Sequence, residues 1–349
     1  HLFMVIGVLV CMALPAEAGD LINKHLPDYL KMDVQLRYRL ESKDDFDFSD
    51  TREDRDAYHL IRTRVGINYT PIKQIEFYTQ LQDSRVEGIE DYSKTTLAHF
   101  MDIRQLYFSL KDLIEPQGIL PHTKLTFGRQ SLQFGSGRLI GDPDWSNIGQ
   151  TFDAGRLGLA WDKPNVKTEI FFGSLTANKT PREGNDFYDR FSKDSIGGYY
   201  TVWGVDKKLT VEQYLINRKT NKNISFGPSG SAELDEYTAG GRVVGKELHG
   251  IDYEVELAGQ WGDFNDSNVS SMMAVALAGY TFNTTWKPRL GFEFDYASGD
   301  TDPTDGTRHT FDNLFPANHA FYGYMDLVGL QNLNDYRYSL SVNPTDKLK

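Results

Sequence analysis

Cysteine is almost missing from this chain: the single copy, Cys11, falls inside an apolar N-terminal run. The remainder therefore has neither disulfides nor a thiolate metal site. Long apolar stretches are missing too, since segment 2–14 is too short for a spanning helix. There is no excess of basic charge: 37 Lys and Arg against 49 Asp and Glu leave a net charge of -12. That balance, and the lack of a glycine-rich phosphate cradle at a strand-helix junction, argue against a nucleic-acid or dinucleotide protein. Beyond residue 1 the histidines, His25, His59, His99, His122, His249, His309 and His319, are scattered mostly through loops and turns. They have no metal-type spacing and no serine elbow to work with, so an outer-membrane hydrolase is the weakest of the functions weighed.

What the chain does have is rhythm. In segment 31–41, Met32, Val34, Leu36, Tyr38 and Leu40 share one parity, while Asp33, Gln35, Arg37, Arg39 and Glu41 share the other. Fourteen such segments are predicted as strands: 31–41, 58–69, 75–84, 101–110, 123–131, 151–161, 166–175, 195–203, 209–218, 236–245, 251–261, 269–282, 289–297 and 335–343. Alternation alone does not separate a soluble sandwich from a transmembrane barrel. The connections do, because they sort by parity. Turns at 70–74, 162–165, 204–208, 246–250 and 283–288, with a longer one at 111–122, alternate with polar links at 42–57, 85–100, 132–150, 176–194, 219–235 and 298–334. Only 262–268 is short on the long side. Tight turns on one side and long loops on the other mark an outer-membrane barrel. The fold class expected is all-β, a transmembrane antiparallel up-and-down β-barrel, integral to the outer membrane of a Gram-negative bacterium and in contact with its lipid.

Other features agree. Segment 2–14 ends in Ala16-Glu17-Ala18, a signal-peptidase pattern, so residues 1–18 are expected to be a signal peptide and 19–349 the barrel. The leader lacks a basic start and residue 1 is His, so it is expected to be incomplete. A mean hydropathy of -0.48 is no objection, since a barrel hides a thin apolar band between polar loops and a polar lumen. Aromatic residues at predicted strand ends, among them Tyr29, Tyr69, Tyr107, Trp161, Tyr200, Trp203, Trp261, Tyr280 and Trp286, suit two interfacial girdles. One strand fits badly: around Arg104, the residues Leu106, Phe108 and Leu110 share the arginine's parity, which requires a bulge or a different strand.

If Val34, Leu36 and Tyr38 face lipid, parity sends Arg37, Arg39, Arg62, Arg64, Arg156, Arg242, Arg289 and Arg337 into the lumen. Guanidinium groups there would grip carboxylates and favour anions. Alternatively they pair with Glu41, Glu76, Glu169, Glu254, Glu256, Glu293 and Asp295 and only brace the wall. Asp300, Asp302 and Asp305 precede Gly306 in a loop that loosely resembles a calcium turn, but the spacing is one residue too long and no closing glutamate follows. No cofactor is expected, calcium in this extracellular loop being the one possibility considered.

Two ordered blocks carry a more specific likeness. Gly128-Arg129-Gln130, Gly135-Ser136-Gly137-Arg138-Leu139-Ile140-Gly141, Asp144-Trp145-Ser146-Asn147 and Thr151-Phe152-Asp153-Ala154 form the first. Thr310-Phe311-Asp312, Phe315-Pro316, Asn318-His319 and Phe321-Tyr322-Gly323-Tyr324-Met325-Asp326 form the second. Together they resemble the alginate-export family of outer-membrane porins. The resemblance implies an 18-stranded barrel passing an anionic polysaccharide, an alginate-like polyuronate, through an arginine-lined pore, with periplasmic export components as partners. On that pattern the present chain holds about 14 strands and is expected to lack the C-terminal ones, leaving an open seam. The glycines of the first block fit a strand that ends in tight turns, where Arg129 and Arg138 are expected to aim into the pore mouth, and Trp145, with Asp144 and Asp153, to anchor an inward-folded loop; alternatively the arginines brace a structural corner against Asp142, Asp144 or Asp153. A pore for small anionic sugars or uronate oligosaccharides, or a general diffusion porin, is the alternative.

Overall fold

The computed structural model describes residues 10–13, 21–43, 56–88, 97–176, 191–225, 231–323 and 325–344. Its strands are β1 (Val10–Ala13), β2 (Leu30–Lys43), β3 (Asp56–Ile72), β4 (Ile75–Glu87), β5 (His99–Lys111), β6 (His122–Gln130), β7 (Phe152–Trp161) and β8 (Val166–Thr176). They continue with β9 (Phe191–Gly204), β10 (Leu209–Ser225), β11 (Ser231–Leu248), β12 (Ile251–Phe264), β13 (Ser267–Thr281), β14 (Arg289–Ala297), β15 (Thr307–Arg308) and β16 (Leu333–Ser341). All fourteen predicted strands are present, as β2 to β14 and β16. Two short ones are additional. β1, from within the predicted leader, pairs with β2, and β15 lies in the last long loop beside β13.

Burial along the strands is inside out. In β2, Val34 and Leu36 are 39% and 41% exposed, while Arg37 and Arg39 are 8% and 3% exposed. Phe77, Leu81, Phe127, Ile170, Leu257, Leu290 and Phe292 are exposed in the same way, and Gln82, Thr126, Glu212, Glu256 and Asp295 are buried. Water would oppose an outer apolar surface of this extent; lipid favours it. Tyr29, Tyr69, Trp203, Trp261, Tyr280 and Trp286 are exposed on this outer surface, as interfacial girdles require. Tyr107 and Tyr200, assigned to the girdles by position, instead share the parity of the lumenal residues Ser109 and Thr126 or Glu212, and Tyr200 donates to Glu212.

The strands join in chain order, each antiparallel to the next, from β1 to β14 and then β16. Among the described residues no pairing joins β1 to β16. The sheet nonetheless curls round, because one loop, residues 131–151, touches β2 and β3 through Asp144 and β14 through Arg138. The misfit around Arg104 is a bulge. Gln80 pairs with Gln105 and Leu81 with Ile103, so Arg104 is the extra residue. It turns inward, 5% exposed, while Leu106 and Phe108 face out at 53% and 40%. Just beyond, Gly128 has φ +124°, and a Cβ there would stand 2.3 Å from the Leu106 carbonyl oxygen, so β6 needs glycine to close on β5.

The lumen is not open throughout. On the long-loop side, Leu132, Phe134, Leu139 and Ile140 from one loop and Phe311, Leu314, Phe315 and Leu330 from another pack against Phe171, Tyr214, Met273 and Val275 of the wall. These loops form an apolar core inside the barrel. Residues 44–55 of the polar link 42–57 lie outside the described residues, as does Tyr324 of the second block.

Candidate functional site

The 142–148 segment explains where the arginines of the first wall go. Arg37 donates to the carbonyls of Asp144 and Ser146, and Arg62 to the same two at 2.9 and 3.0 Å. Arg39 donates to the Trp145 carbonyl at 2.6 Å. Arg62 and Arg64 share the Asp144 carboxylate at 2.9 and 2.6 Å. From the bulge, Arg104 Nη2 reaches both oxygens of Asp142 at 2.8 and 2.7 Å. Five guanidinium groups from β2, β3 and β5 thus hold one loop by two carboxylates and a row of carbonyls. Gly149, at φ +81°, lets the chain pass close by, since a Cβ there would come within 3.1 Å of Arg64 Nη2. Burial would raise the Asp144 carboxyl, but Arg62 and Arg64 outweigh it and hold it below the usual carboxylate range.

The other end of the loop crosses the lumen. Arg138, 2% exposed, donates to Asp295 at 3.2 Å and to the Tyr322 hydroxyl at 2.9 Å, with Glu293 at 3.5 Å. Burial opposes its charge, yet Tyr322, Asp295 and Glu256 raise it further above the ordinary arginine value. Two walls of unlike character are bridged, arginines on β2, β3 and β5 and carboxylates on β12 and β14.

The two blocks that resemble a family signature meet here. Gly141 N donates to the Phe315 carbonyl and Phe315 N to that of Leu139, both at 2.9 Å, and Ala317 N to Gly137 at 3.0 Å. Trp145 stacks on His319 with centroids 3.8 Å apart and planes 5° from parallel, and Arg39 lies 4.0 Å over the same indole. His319 in turn contacts Asp326 at 3.0 Å. Trp145 and Asp144 therefore stand at the contact of loop with wall.

Asp153 and Arg129 do not. They are direct cross-strand partners, joined at 2.9 and 3.1 Å, and they share the parity of outward-facing Phe127 rather than that of lumenal Thr126 and Gln130. The expectation that Arg129 aims into the pore mouth is corrected by this register: a strand residue two places from a lipid-facing one stays on its face. Arg156, Arg242, Arg289 and Arg337 do face inward, each with carboxylates: Glu169; Glu212 and Glu254; Asp252; and Glu293 with Asp335. Asp300, Asp302 and Asp305 accept hydrogen bonds from the backbone of Asp302, Thr304 and Thr307, and among the described residues no three acidic, histidine or cysteine groups converge on a metal position.

Two lumenal arginines escaped notice in the sequence. Arg104 was set aside by its parity, which only the bulge corrects. Arg218 stood at the predicted end of its strand, but it is buried and pairs with Asp194 and with Asp312 of the second block, each at 2.7 Å. Its shared parity with Glu212 and Tyr214 was the available signal.

Among solved structures the chain is similar to OmpTdeltaL8, a loop L8 deletion mutant of OmpT, an outer membrane protein of Vibrio cholerae. The two share 14% identity with a TM-score of 0.36, over 79% of this chain and 96% of that one. In-vitro folded OmpT of Vibrio cholerae in its trimer form gives 13% and 0.36, over 80% and 94%. Likenesses this distant carry no argument. No curated relative matches. The sequence profile described as alginate export matches residues 28–349. With the inverted burial and the curled antiparallel sheet, this establishes the chain as a member of the alginate export family, an integral β-barrel of the outer membrane.

Proposed function

We propose that this barrel passes an anionic polysaccharide, an alginate-like polyuronate, through its lumen, entering on the turn side where periplasmic export components would deliver it. The observation that carries this reading is the concentration of Arg37, Arg39, Arg62, Arg64 and Arg104 on one wall, five guanidinium groups that share three carboxylates, Glu41, Asp142 and Asp144, and otherwise rest largely on the backbone carbonyls of Asp144, Trp145 and Ser146. An arginine bond to a carbonyl is already charge-assisted, but a carboxylate adds a full opposite charge and a bidentate geometry that a single carbonyl lacks. Polymer carboxylates can therefore compete with the 142–148 carbonyls for these groups, and the loop acts as a placeholder that yields to an anion. Neutral sugars have no such means of exchange.

The test is single-channel conductance in a planar bilayer, titrated with oligomannuronate and with a neutral oligosaccharide of equal length. Anion preference with block by oligomannuronate alone is the expected result. A second reading, a general or small-anion diffusion porin, is favoured by the opposite arc, where Arg156, Arg242 and Arg289 each sit against carboxylates and leave little net charge. Equal block by both sugars, or none with weak selectivity, would decide for it.

A further inference from the structure

The loop clamp covers one arc of the lumen and leaves another free. Between β5, β6, β7 and β8 lies a cavity of about 250 Å³, bounded by Gln105, Tyr107, Lys124, Gln130, Arg156 and Glu169. That is far more than the room a single water needs and admits one pyranose unit.

Its cations are differently disposed from those of the clamp. Arg156 binds Glu169 through Nε and Nη2 at 2.7 and 3.1 Å, which leaves Nη1 without a partner among the described residues. Lys124 shares Glu76 with Lys111, taking the longer contact, 3.2 Å against 2.6 Å, and its side chain is 45% exposed. Of the charged groups that line the cavity, Arg156 and Lys124 are cations and Glu169 is a carboxylate, with Lys111, Glu76 and Asp33 standing behind them. The Tyr107 hydroxyl has no hydrogen-bond partner among the described residues, and its ring packs on Tyr78 at 5.2 Å. Gln130 spends its amide N–H groups on the carbonyls of Gly128 and Ala154, which leaves its side-chain oxygen as an acceptor.

Two cations, one of them with an available guanidinium nitrogen, a hydroxyl and an amide oxygen around one sugar-sized space match the donor and acceptor set of an acidic pyranose. We propose that this cavity is a binding site for a single hexuronate unit, its carboxylate toward Arg156 Nη1 and Lys124 and its hydroxyls toward Tyr107 and Gln130. The site rests on the polyuronate reading above and deepens it: a polymer entering from the turn side meets these groups without displacing a loop. Arg37, Arg39, Arg62, Arg64 and Arg104, already holding residues 142–148, are secondary contacts.

Equilibrium dialysis of glucuronate and of glucose against the folded full chain in detergent tests the site, with each variant checked for folding by heat-modifiable migration. One glucuronate should bind per chain and glucose should not. Arg156→Gln and Lys124→Gln should each weaken binding about tenfold or more, the loss expected of one charged hydrogen bond. Arg156→Lys should recover part of it, Tyr107→Phe should cost a few-fold, and the outward-facing Lys219→Gln should change nothing. Undiminished binding in both glutamine variants, equal uptake of glucose, or no uptake by the wild type would overturn the site. The bilayer titration separates the two levels. Block by oligomannuronate that is insensitive to Arg156→Gln and Lys124→Gln sinks the site and spares the conduit, whereas no block of the wild type sinks both. Should Arg156→Gln not fold, Lys124→Gln and Tyr107→Phe carry the test.

Discussion

Asp144→Asn should loosen the 142–148 segment from the arginine wall by roughly five- to thirtyfold. The substitution keeps an acceptor oxygen and the backbone bonds to Arg37, Arg39 and Arg62, but removes the charge facing Arg62 and Arg64, which are 0% and 6% exposed. Breaking a fully buried pair costs about 3–5 kcal/mol. Asp144 itself is 56% exposed, so screening brings the figure toward the surface range, to about 1–2 kcal/mol, a factor of about 5–30 in population. Hydrogen exchange of amides 145–149, corrected for intrinsic rates, would read the change directly. The same carboxylate sets a pH dependence. Its pKa is depressed in the docked state, so its contribution is fully present above the ordinary aspartate value of about 3.9 and is lost as pH falls below that toward the docked value. Wild-type protection should therefore hold from neutrality to about pH 4 and then fall toward that of the variant. Equal protection in variant and wild type at pH 7, or wild-type protection that stays flat down to pH 3, would refute the clamp.

Other consequences follow from the same contacts. Trp145→Ala removes the His319 stack and the Arg39 contact, together about 1–3 kcal/mol; chymotryptic cleavage in the second loop near Phe321 should speed up about tenfold, and an unchanged rate would mean the loops do not hold each other. Arg129→Ala should leave conductance and ion preference as they are, because the side chain lies outside the lumen; a shifted reversal potential would place it back inside. Calcium should not alter protease cleavage of the 298–332 loop, whose carboxylates already cap turns; calcium-dependent protection would contradict that. Gly128→Val should prevent assembly of the heat-modifiable form, since its side chain has no space against the Leu106 carbonyl.

The barrel was legible because its cause is local. Every strand carries its own alternation, and each turn or loop declares itself within a few residues; hence β2 to β14 and β16 all coincide with predicted segments. Parity also put Arg37, Arg39, Arg62 and Arg64 on the lumenal face without knowledge of any partner. It failed where the two-residue period breaks. At Arg104 one extra residue shifts the phase, and nothing in the residues 101–110 says which one is unpaired. At Arg129 the error was different: the glycines around it suggested a turn, but the chain stays extended through Gln130, so the ordinary alternation holds and carries the side chain outward with Phe127.

The loops posed a harder problem, because their structure is not written in any period. Residues 131–151 contain Gly, Asp, Pro, Trp and Ser without alternation, and a backbone that forms no ladder must place its polar groups elsewhere or leave them in water. Here they are placed on five arginines of the wall and on the backbone of a loop that begins nearly 150 positions later. That answers why two blocks so distant in sequence carry the family likeness together: neither is a site by itself. Leu139 and Gly141 have partners only if Phe315 is present, and Trp145 has its stack only if His319 is. A change in one block should therefore appear in the protection of the other, and a barrel carrying either loop alone should lose the apolar core that the two loops build together.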